Sequence, residues 1–143
     1  MKTLSRWVWA LVLLTIGCTD QQASTTLTRP DTPPGRLLTF SGTLQPQGIN
    51  WYPFNVTQAG EVEITLLGAG LVGVEQPQPL TVGLGIGTAG PSGECLVSHS
   101  VNTAGGPRAQ ITGTGQEGAL CVSIFDVGNL TGPAIYTITV ATP

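Results

Sequence analysis

From residue 36 to the end of the chain, apolar side chains recur at every second position in short segments separated by glycine and proline. A period of two is that of a β-strand, whose successive side chains face opposite sides of a sheet, and no segment has the 3.6-residue period of an amphipathic helix. The alternating or apolar segments are residues 38–44, 51–56, 61–66, 81–86, 95–101, 109–111, 120–125 and 136–141. Short strands at this spacing predict an all-β domain over residues 36–143, a single antiparallel β-sandwich or barrel of about eight strands.

Three local features modify this pattern. Pro53 lies inside an alternating segment, and because proline cannot donate a ladder hydrogen bond, we expect that strand to lie at a sheet edge or to be bulged. Gly83, Gly85 and Gly87 alternate with larger residues, which predicts a strand with a bare outer face that another group can approach closely. Residues 68–79 form the longest stretch without alternation and predict an irregular connection.

The composition excludes several classes of protein. Charged residues make up 9% of the 143 residues, and there are 20 glycines and 11 prolines. A helical bundle or coiled coil would need many more Ala, Glu, Lys and Arg, and a disordered chain would be poorer in apolar residues than the 41% found here. The net charge is −3 with five scattered bases, which does not suit nucleic-acid binding.

The first residues are typical of an export signal. Lys2 and Arg6 precede an apolar run, residues 7–16, which is too short to span a bilayer as a helix and fits the core of a signal peptide. The segment from Thr15 to Cys18 (TIGC) resembles the cleavage site of bacterial lipoprotein signals, with Thr15 where that family usually has Leu. The resemblance implies a signal peptide over residues 1–17 and a lipidated Cys18. The alternative is an ordinary secretory signal with an incidental cysteine.

A tether follows the expected cleavage site. Residues 18–35 are polar and rich in Thr and Pro, which is a linker composition. Lipid on Cys18 would bury acyl chains in a membrane and hold the domain at the bacterial cell envelope. By resemblance to the sorting rule of enteric bacteria, Asp20 permits transfer to the outer membrane, on its periplasmic or surface side.

Two cysteines, Cys95 and Cys121, lie in strand-like segments of the domain. In an exported protein, an isolated pair is most simply a disulfide bond. The alternative is a pair of free, buried thiols. A metal site at these cysteines is poorly supplied with ligands, because His99 is the one histidine of the chain.

The sequence offers little for nucleotide binding or nucleophilic catalysis. Residues 85–90 match the letters of a dinucleotide-binding fingerprint, but a proline follows where a helix would have to begin. Ser98 and His99 are neighbours on a strand and point to opposite faces, so they do not form a nucleophile and base pair. His99 shares its predicted face with Val97 and Val101, which favours a structural or partly buried histidine.

Carboxylates supply two further candidate sites. Glu61 and Glu63 share one strand face, and a solvated face is a simpler interpretation than paired-carboxylate hydrolysis. Asp126 with Asn50, joined by Glu117, is a candidate calcium site because its ligands are oxygens. The simpler interpretation of Asp126 is an Asx-type turn. We therefore expect no catalytic residues and no cofactor other than calcium at this position.

Trp51 is the one tryptophan outside the leader, and the alternation directs it away from the core. An exposed aromatic ring can stack on a sugar or anchor a contact with another protein. The alternative is that Trp51 packs beneath the connection formed by residues 68–79.

Several segments together resemble the bacterial pre-peptidase C-terminal (PPC-like) domain, a jelly-roll-like β-sandwich often appended to secreted proteases. The segments are residues 41–44, 50–56, 58–66, 120–126 and 136–140. Asn50 stands where that family often has Asp, and no peptidase sequence accompanies these segments. The resemblance implies an accessory role rather than a protease. The sequence as a whole predicts a non-catalytic envelope lipoprotein that binds an envelope protein or has a structural role; the alternative is a carbohydrate-binding module that uses Trp51.

Overall fold

The structure, a computed structural model, describes residues 35–75 and 78–143. The predicted signal peptide, Cys18 and the tether up to residue 34 lie outside the described residues. No helix among the described residues is long and apolar enough to cross a membrane. The regular elements are β1 (Arg36–Leu44), β2 (Ile49–Val56), β3 (Gly60–Leu71), β4 (Val82–Ala89), β5 (Cys95–Thr103), β6 (Ile111–Gly115), β7 (Gly118–Phe125) and β8 (Ala134–Thr142).

The eight strands form two four-stranded antiparallel sheets that pack face to face. The strand order is β1-β8-β3-β6 in the first sheet and β2-β7-β4-β5 in the second. Each connection crosses from one sheet to the other, except the hairpin that joins β4 to β5. This order is that of a jelly roll. The predicted all-β antiparallel sandwich of eight strands is therefore confirmed, and the sheets do not close into a barrel.

The core lies between the sheets because each sheet buries alternate side chains of its strands. Full burial of one such aliphatic side chain contributes about 1.5–3 kcal/mol. The layer of apolar side chains between the two sheets, which the alternation in the sequence predicts, is consequently the main source of stability. The largest side chains with no exposed surface come from both sheets and are Leu44, Ile64, Leu66, Leu84, Ile124 and Ile138.

β3 is longer than the sequence predicts. Residues 68–71 continue the strand, so the expectation that they belong to an irregular connection is wrong. Gly68 and Gly70 occupy outward positions there, and glycine has no side chain that would show the alternation. The register against β8 also shifts by one residue at Leu67, which breaks the period of two in the sequence.

β6 lies later in the chain than its weak apolar signal indicates. It covers Ile111–Gly115, whereas the sequence pattern places a segment at residues 109–111. Gly113 and Gly115 again interrupt the apolar alternation. Short glycine-containing strands are therefore the part of this fold that hydrophobic periodicity detects least well.

The expectation that Pro53 lies in an edge strand is confirmed. Pro53 lies in β2, which pairs only with β7 and forms one edge of the second sheet. A proline in such a strand leaves the ladder intact when its missing N–H faces outward.

Candidate functional site

The glycines of β4 are covered on their outer face by side chains of neighbouring strands. A Cβ atom at Gly83 would overlap the ring of Phe125. A Cβ atom at Gly85 would lie 2.6 Å from Ser123 Oγ and 3.0 Å from Val97 Cγ1. The outer face of β4 is therefore not bare, in contrast to the expectation from its sequence. The close approach that the glycines permit takes place within the chain itself.

β5 folds back over β4 at Gly87. A Cβ atom at Gly87 would lie 2.5 Å from the carbonyl carbon of Leu96 and 2.7 Å from Cα of Val97. Glycine is required because the backbone of β5 occupies the space of a side chain. The register between the two strands shifts at Ser98, and a bulge of this kind bends the strand that carries it.

A disulfide bond fastens this folded hairpin to β7. Cys95 in β5 and Cys121 in β7 are bonded, as predicted, with their Cα atoms 5.7 Å apart. β4 lies between β5 and β7 in the sheet, so a flat arrangement would separate them by two strand spacings of about 4.8 Å each. The bond therefore depends on the folding of β5 over the outer face.

Trp51 lies on the outer face of β2, beside the folded hairpin. Its side chain is 36% exposed, and its Cη2 atom is 3.9 Å from the position of a Cβ atom on Gly93 in the β4–β5 turn. Ile49 precedes it by two residues on the same face and is 56% exposed. The indole ring therefore lies against the β4–β5 turn.

Ser123 is the cross-strand neighbour of Trp51. Its Oγ atom is fully buried and has no hydrogen-bond partner within the described residues. An unpaired buried hydroxyl costs stability, since it loses its bonds to water without replacement. The packing of β5 and Trp51 over the sheet therefore leaves the Ser123 hydroxyl without a hydrogen bond to any described residue, which lowers the stability of the fold.

Asp126 accepts hydrogen bonds at both carboxylate oxygens. Oδ1 accepts from the backbone N–H groups of Gly128, Asn129 and Leu130 at 2.8, 3.1 and 3.2 Å. Oδ2 accepts from the N–H of Gln47 at 2.8 Å. The bond from Gln47 and then those from the turn hold the pKa of the Asp126 carboxyl below its usual range. Asp126 thereby ties the β7–β8 connection to the β1–β2 turn, where Gln47 adopts a φ of 60°.

A polar cluster that the sequence analysis did not anticipate joins the two sheets at β1. The hydroxyls of Tyr52 and Tyr136 lie 2.7 Å apart. Asn50 Nδ2 donates to Tyr136 Oη and to the carbonyl of Thr43, both at 2.8 Å. Tyr52 Oη donates to the carbonyl of Ser41 at 3.3 Å. The pKa of Tyr136 is raised far above its usual range, chiefly by burial and to a lesser extent by the hydrogen bond to Tyr52.

Gly42 is the sequence signal that could have revealed this cluster. A Cβ atom there would lie 2.7 Å from both tyrosine hydroxyls, so a glycine in the middle of β1 makes room for them. Asn50 and Asp126 share no hydrogen-bond partner. In residues 35–75 and 78–143, no group of three or more His, Cys, Asp or Glu side chains is placed to hold a metal ion.

A cleft of about 510 Å³ opens between β5 and β6, where the sheets separate. Val62, Ile86 and Leu120 line it, together with Ser98 and His99. The bulge places His99 opposite Ile86 and turns Val97 to the other face of β5. The expectation that His99 and Val97 share a face is therefore wrong. His99 is exposed rather than partly buried. Ser98 Oγ donates to the carbonyl of Ile86 at 3.2 Å.

A shallow groove of about 630 Å³ lies on the outer face of the first sheet, at the end where β3 leaves it. Leu67, Val72, Val74 and Ile135 line it, and each is close to half-exposed or more. Gly68 forms part of its floor and has open space above its Cα atom. This end of the sandwich is therefore an apolar surface without a charged lining residue.

No family model matches the sequence, and no curated protein matches it. The residues and geometry of the chain itself therefore carry the functional proposal.

Proposed function

We propose that the chain is a non-catalytic lipoprotein of the bacterial cell envelope, in which lipid on Cys18 tethers a binding or structural module. The resemblance of residues 15–18 to a lipoprotein cleavage site supports the membrane attachment. The jelly-roll sandwich supplies a rigid body for contacts. The observation that carries the binding role is the indole of Trp51, which is 36% exposed and lies on β2 against the folded β4–β5 hairpin.

The outer face of the second sheet carries an apolar surface, called here the Trp51 surface, which is formed by Trp51, Ile49 and Val97. All three are at least about one-third exposed, and their backbones belong to strands. Rigid aromatic and aliphatic groups lose little conformational entropy on binding, so they make effective anchors for a protein partner. The Cys95–Cys121 bond adds to this rigidity because it fixes β5 to β7.

The placement of the polar groups supports a role without catalysis. Asp126 is engaged by four backbone N–H groups, and Ser98 Oγ donates to a backbone carbonyl. Glu61 and Glu63 are exposed on the outer face of β3, opposite threonines of β6. Acid–base or nucleophilic catalysis needs such groups to converge on one reacting atom.

A carbohydrate-binding role through Trp51 is the second candidate. Ser100 lies in the same cross-strand row as Trp51, through Ser123 and Gly85, and Asn102 lies in the next row. A glycan that stacks on the ring and extends across β7 and β4 would meet these hydroxyl and amide groups, because the ring stacks on one sugar and the polar groups bond the hydroxyls of another.

Binding by full-length protein carrying Trp51→Ala distinguishes the two roles. We expect the substitution to abolish capture of an envelope protein that the wild type retains from solubilised envelopes. Loss of capture on a glycan panel would instead favour the carbohydrate role. Leu37→Ala is the matched control, because Leu37 is 67% exposed on the other sheet. Binding to either class that is insensitive to Trp51→Ala would contradict the assignment of this surface.

Membrane fractionation tests the tether separately. The wild-type protein is expected in the membrane fraction and the Cys18→Ala variant in the soluble fraction, because acyl chains supply the attachment. Equal membrane retention of both proteins would contradict lipidation at Cys18.

A further inference from the structure

β6 presents unpaired peptide groups at the edge of the first sheet. Hydrogen-bonding direction alternates along a strand. The peptide groups of Leu66 in β3 point away from β8, because its N–H donates to Gln110 Oε1 and its carbonyl accepts from Gly106. By alternation Val62 points the same way, toward its partner Gly113 in β6.

The outward groups of β6 are consequently those of Thr112 and Thr114. Each of these residues offers one N–H and one carbonyl to whatever lies beyond the edge. These four groups point away from β3, and no other strand or loop of residues 35–75 and 78–143 supplies a hydrogen-bond partner for them. The cleft between β5 and β6 runs beside them.

The other three edge strands carry features that hinder strand addition. β2 contains Pro53, and proline obstructs pairing at an edge. In β1, Ser41 and Thr43 already use their outward carbonyls as acceptors for Tyr52 and Asn50. β5 is bulged and fastened over the outer face by its disulfide bond. β6 has no proline, charge or bulge, so it is the open edge of the described sandwich.

The sequence around Gly113 is nearly the same in both directions. Residues 110–116 read QITGTGQ, and their reverse is QGTGTIQ. An antiparallel pair of β6 strands centred on Gly113 would place Thr112 opposite the second copy's Thr114, twice. The four outward groups of each copy would then form four hydrogen bonds, with none left over. Ile111 would lie opposite the second copy's Gly115, a large residue against a small one.

The charges that flank this segment are complementary. Residues 109–116 are uncharged, although the chain as a whole has a net charge of −3. Arg108 precedes the segment and Glu117 follows it, and both are exposed. Antiparallel pairing would bring Arg108 of each copy to the same end as the second copy's Glu117. Self-pairing therefore brings opposite charges together at both ends of the paired strands, with no like charges between them.

We infer that β6 is a self-association site, at which two copies of this chain join their first sheets into one continuous eight-stranded sheet. The interface is isologous, since the same strand of each copy forms both halves. Four backbone hydrogen bonds form a small interface, so the dimer is weak in dilute solution and is favoured where copies are concentrated.

Thr112→Pro tests the pairing without breaking the β3–β6 ladder, because the N–H that it removes points outward. Sedimentation of the full chain over a range of concentrations is expected to show a monomer–dimer equilibrium. The substitution should raise the dimer Kd by at least about tenfold, since two of the four inter-copy bonds are lost. Thr39→Pro is the matched control, placed on β1 at the opposite edge of the same sheet, and should leave the dimer Kd unchanged.

A charge swap tests the register. Arg108→Glu and Glu117→Arg should each weaken the dimer, and the double variant should restore it, because only the mutual arrangement of the two charges matters.

An engineered cysteine tests the two-fold centre directly. Gly113 of the two copies would form a non-hydrogen-bonded pair with Cα atoms about 4.5 Å apart, which a disulfide spans. Full-length Gly113→Cys in a Cys18→Ser background should form a covalent dimer on mild oxidation, and Thr39→Cys in the same background should not. Monomers at every concentration, a dimer insensitive to Thr112→Pro, or equal cross-linking of both cysteines would overturn the inference.

Discussion

Gly87→Ala gives the sharpest test of the folded β4–β5 hairpin. The added methyl carbon would lie 2.5 Å from the carbonyl carbon of Leu96 and 2.7 Å from Cα of Val97. Carbon atoms in contact prefer about 3.5–4.0 Å, so β5 would have to move by about 1 Å. The obstructing atoms are backbone atoms, held by the ladder with β4 and by the nearby disulfide bond, and they cannot rotate away.

Overpacking of a tight site typically costs about 1–3 kcal/mol. The upper end applies at Gly87, because relief of the clash requires movement of a strand. We therefore expect Gly87→Ala to lower the free energy of unfolding by about 3 kcal/mol. Gly68→Ala is the matched control, since a Cβ atom there meets nothing within 4 Å. It should raise the free energy of unfolding by about 0.5 kcal/mol through the reduced entropy of the unfolded chain.

Urea unfolding of oxidised protein, followed by circular dichroism, measures both variants. The two glycines both lie in strands, so the opposite signs isolate the effect of the β5 backbone over β4. A Gly87→Ala protein within about 0.5 kcal/mol of the wild type would refute the close approach of β5 and, with it, the rigid support of the Trp51 surface.

Three further predictions concern stability. Replacement of both Cys95 and Cys121 by Ala should lower the free energy of unfolding in urea by about 3.5 kcal/mol, because the bond closes a loop with a sequence separation of 26 residues; a change below about 1 kcal/mol would contradict this. Ser123→Ala should raise it by about 1 kcal/mol, because an unpaired buried hydroxyl is removed; clear destabilisation would show that the hydroxyl has a partner. Asp126 has a pKa that is lower in the folded protein than in the unfolded chain, so its stabilisation is present above the unfolded value of 3.8 and is lost as the pH falls through the folded value. Asp126→Asn should reduce this dependence of the urea midpoint on pH, and an unchanged acid profile would exclude the role of its hydrogen bonds.

Much of the fold follows from the alternation of apolar residues. Seven of the eight strands coincide with segments of period two or with an apolar run. In β1, β2, β4 and β8 the alternate set that the pattern indicates faces the core, whereas Val97 of β5 faces outward. The failures occur where glycine replaces the side chain that carries the pattern. Gly68 and Gly70 conceal the end of β3, and Gly113 conceals β6.

The candidate site was less accessible to sequence reasoning. The Cys95–Cys121 bond follows from the predicted export signal and from the number of cysteines. The folding of β5 over Gly87 does not follow, because it depends on backbone proximity between strands rather than on any local preference. The bulge at Ser98 likewise reverses the faces of the residues before it, so that Val97 lies on the opposite face of β5 from His99. Asp126 was placed in an Asx-type turn by its local sequence, but its bond to Gln47 is a long-range contact.

Intact-mass analysis of the full chain, extracted with detergent from host membranes, tests the central claim of an envelope-tethered module most directly. We predict a polypeptide that begins at Cys18, carries acyl chains on that residue and is two hydrogens lighter than the reduced form because of the Cys95–Cys121 bond. A polypeptide that retains residues 1–17, or one with an unmodified Cys18, would contradict the account.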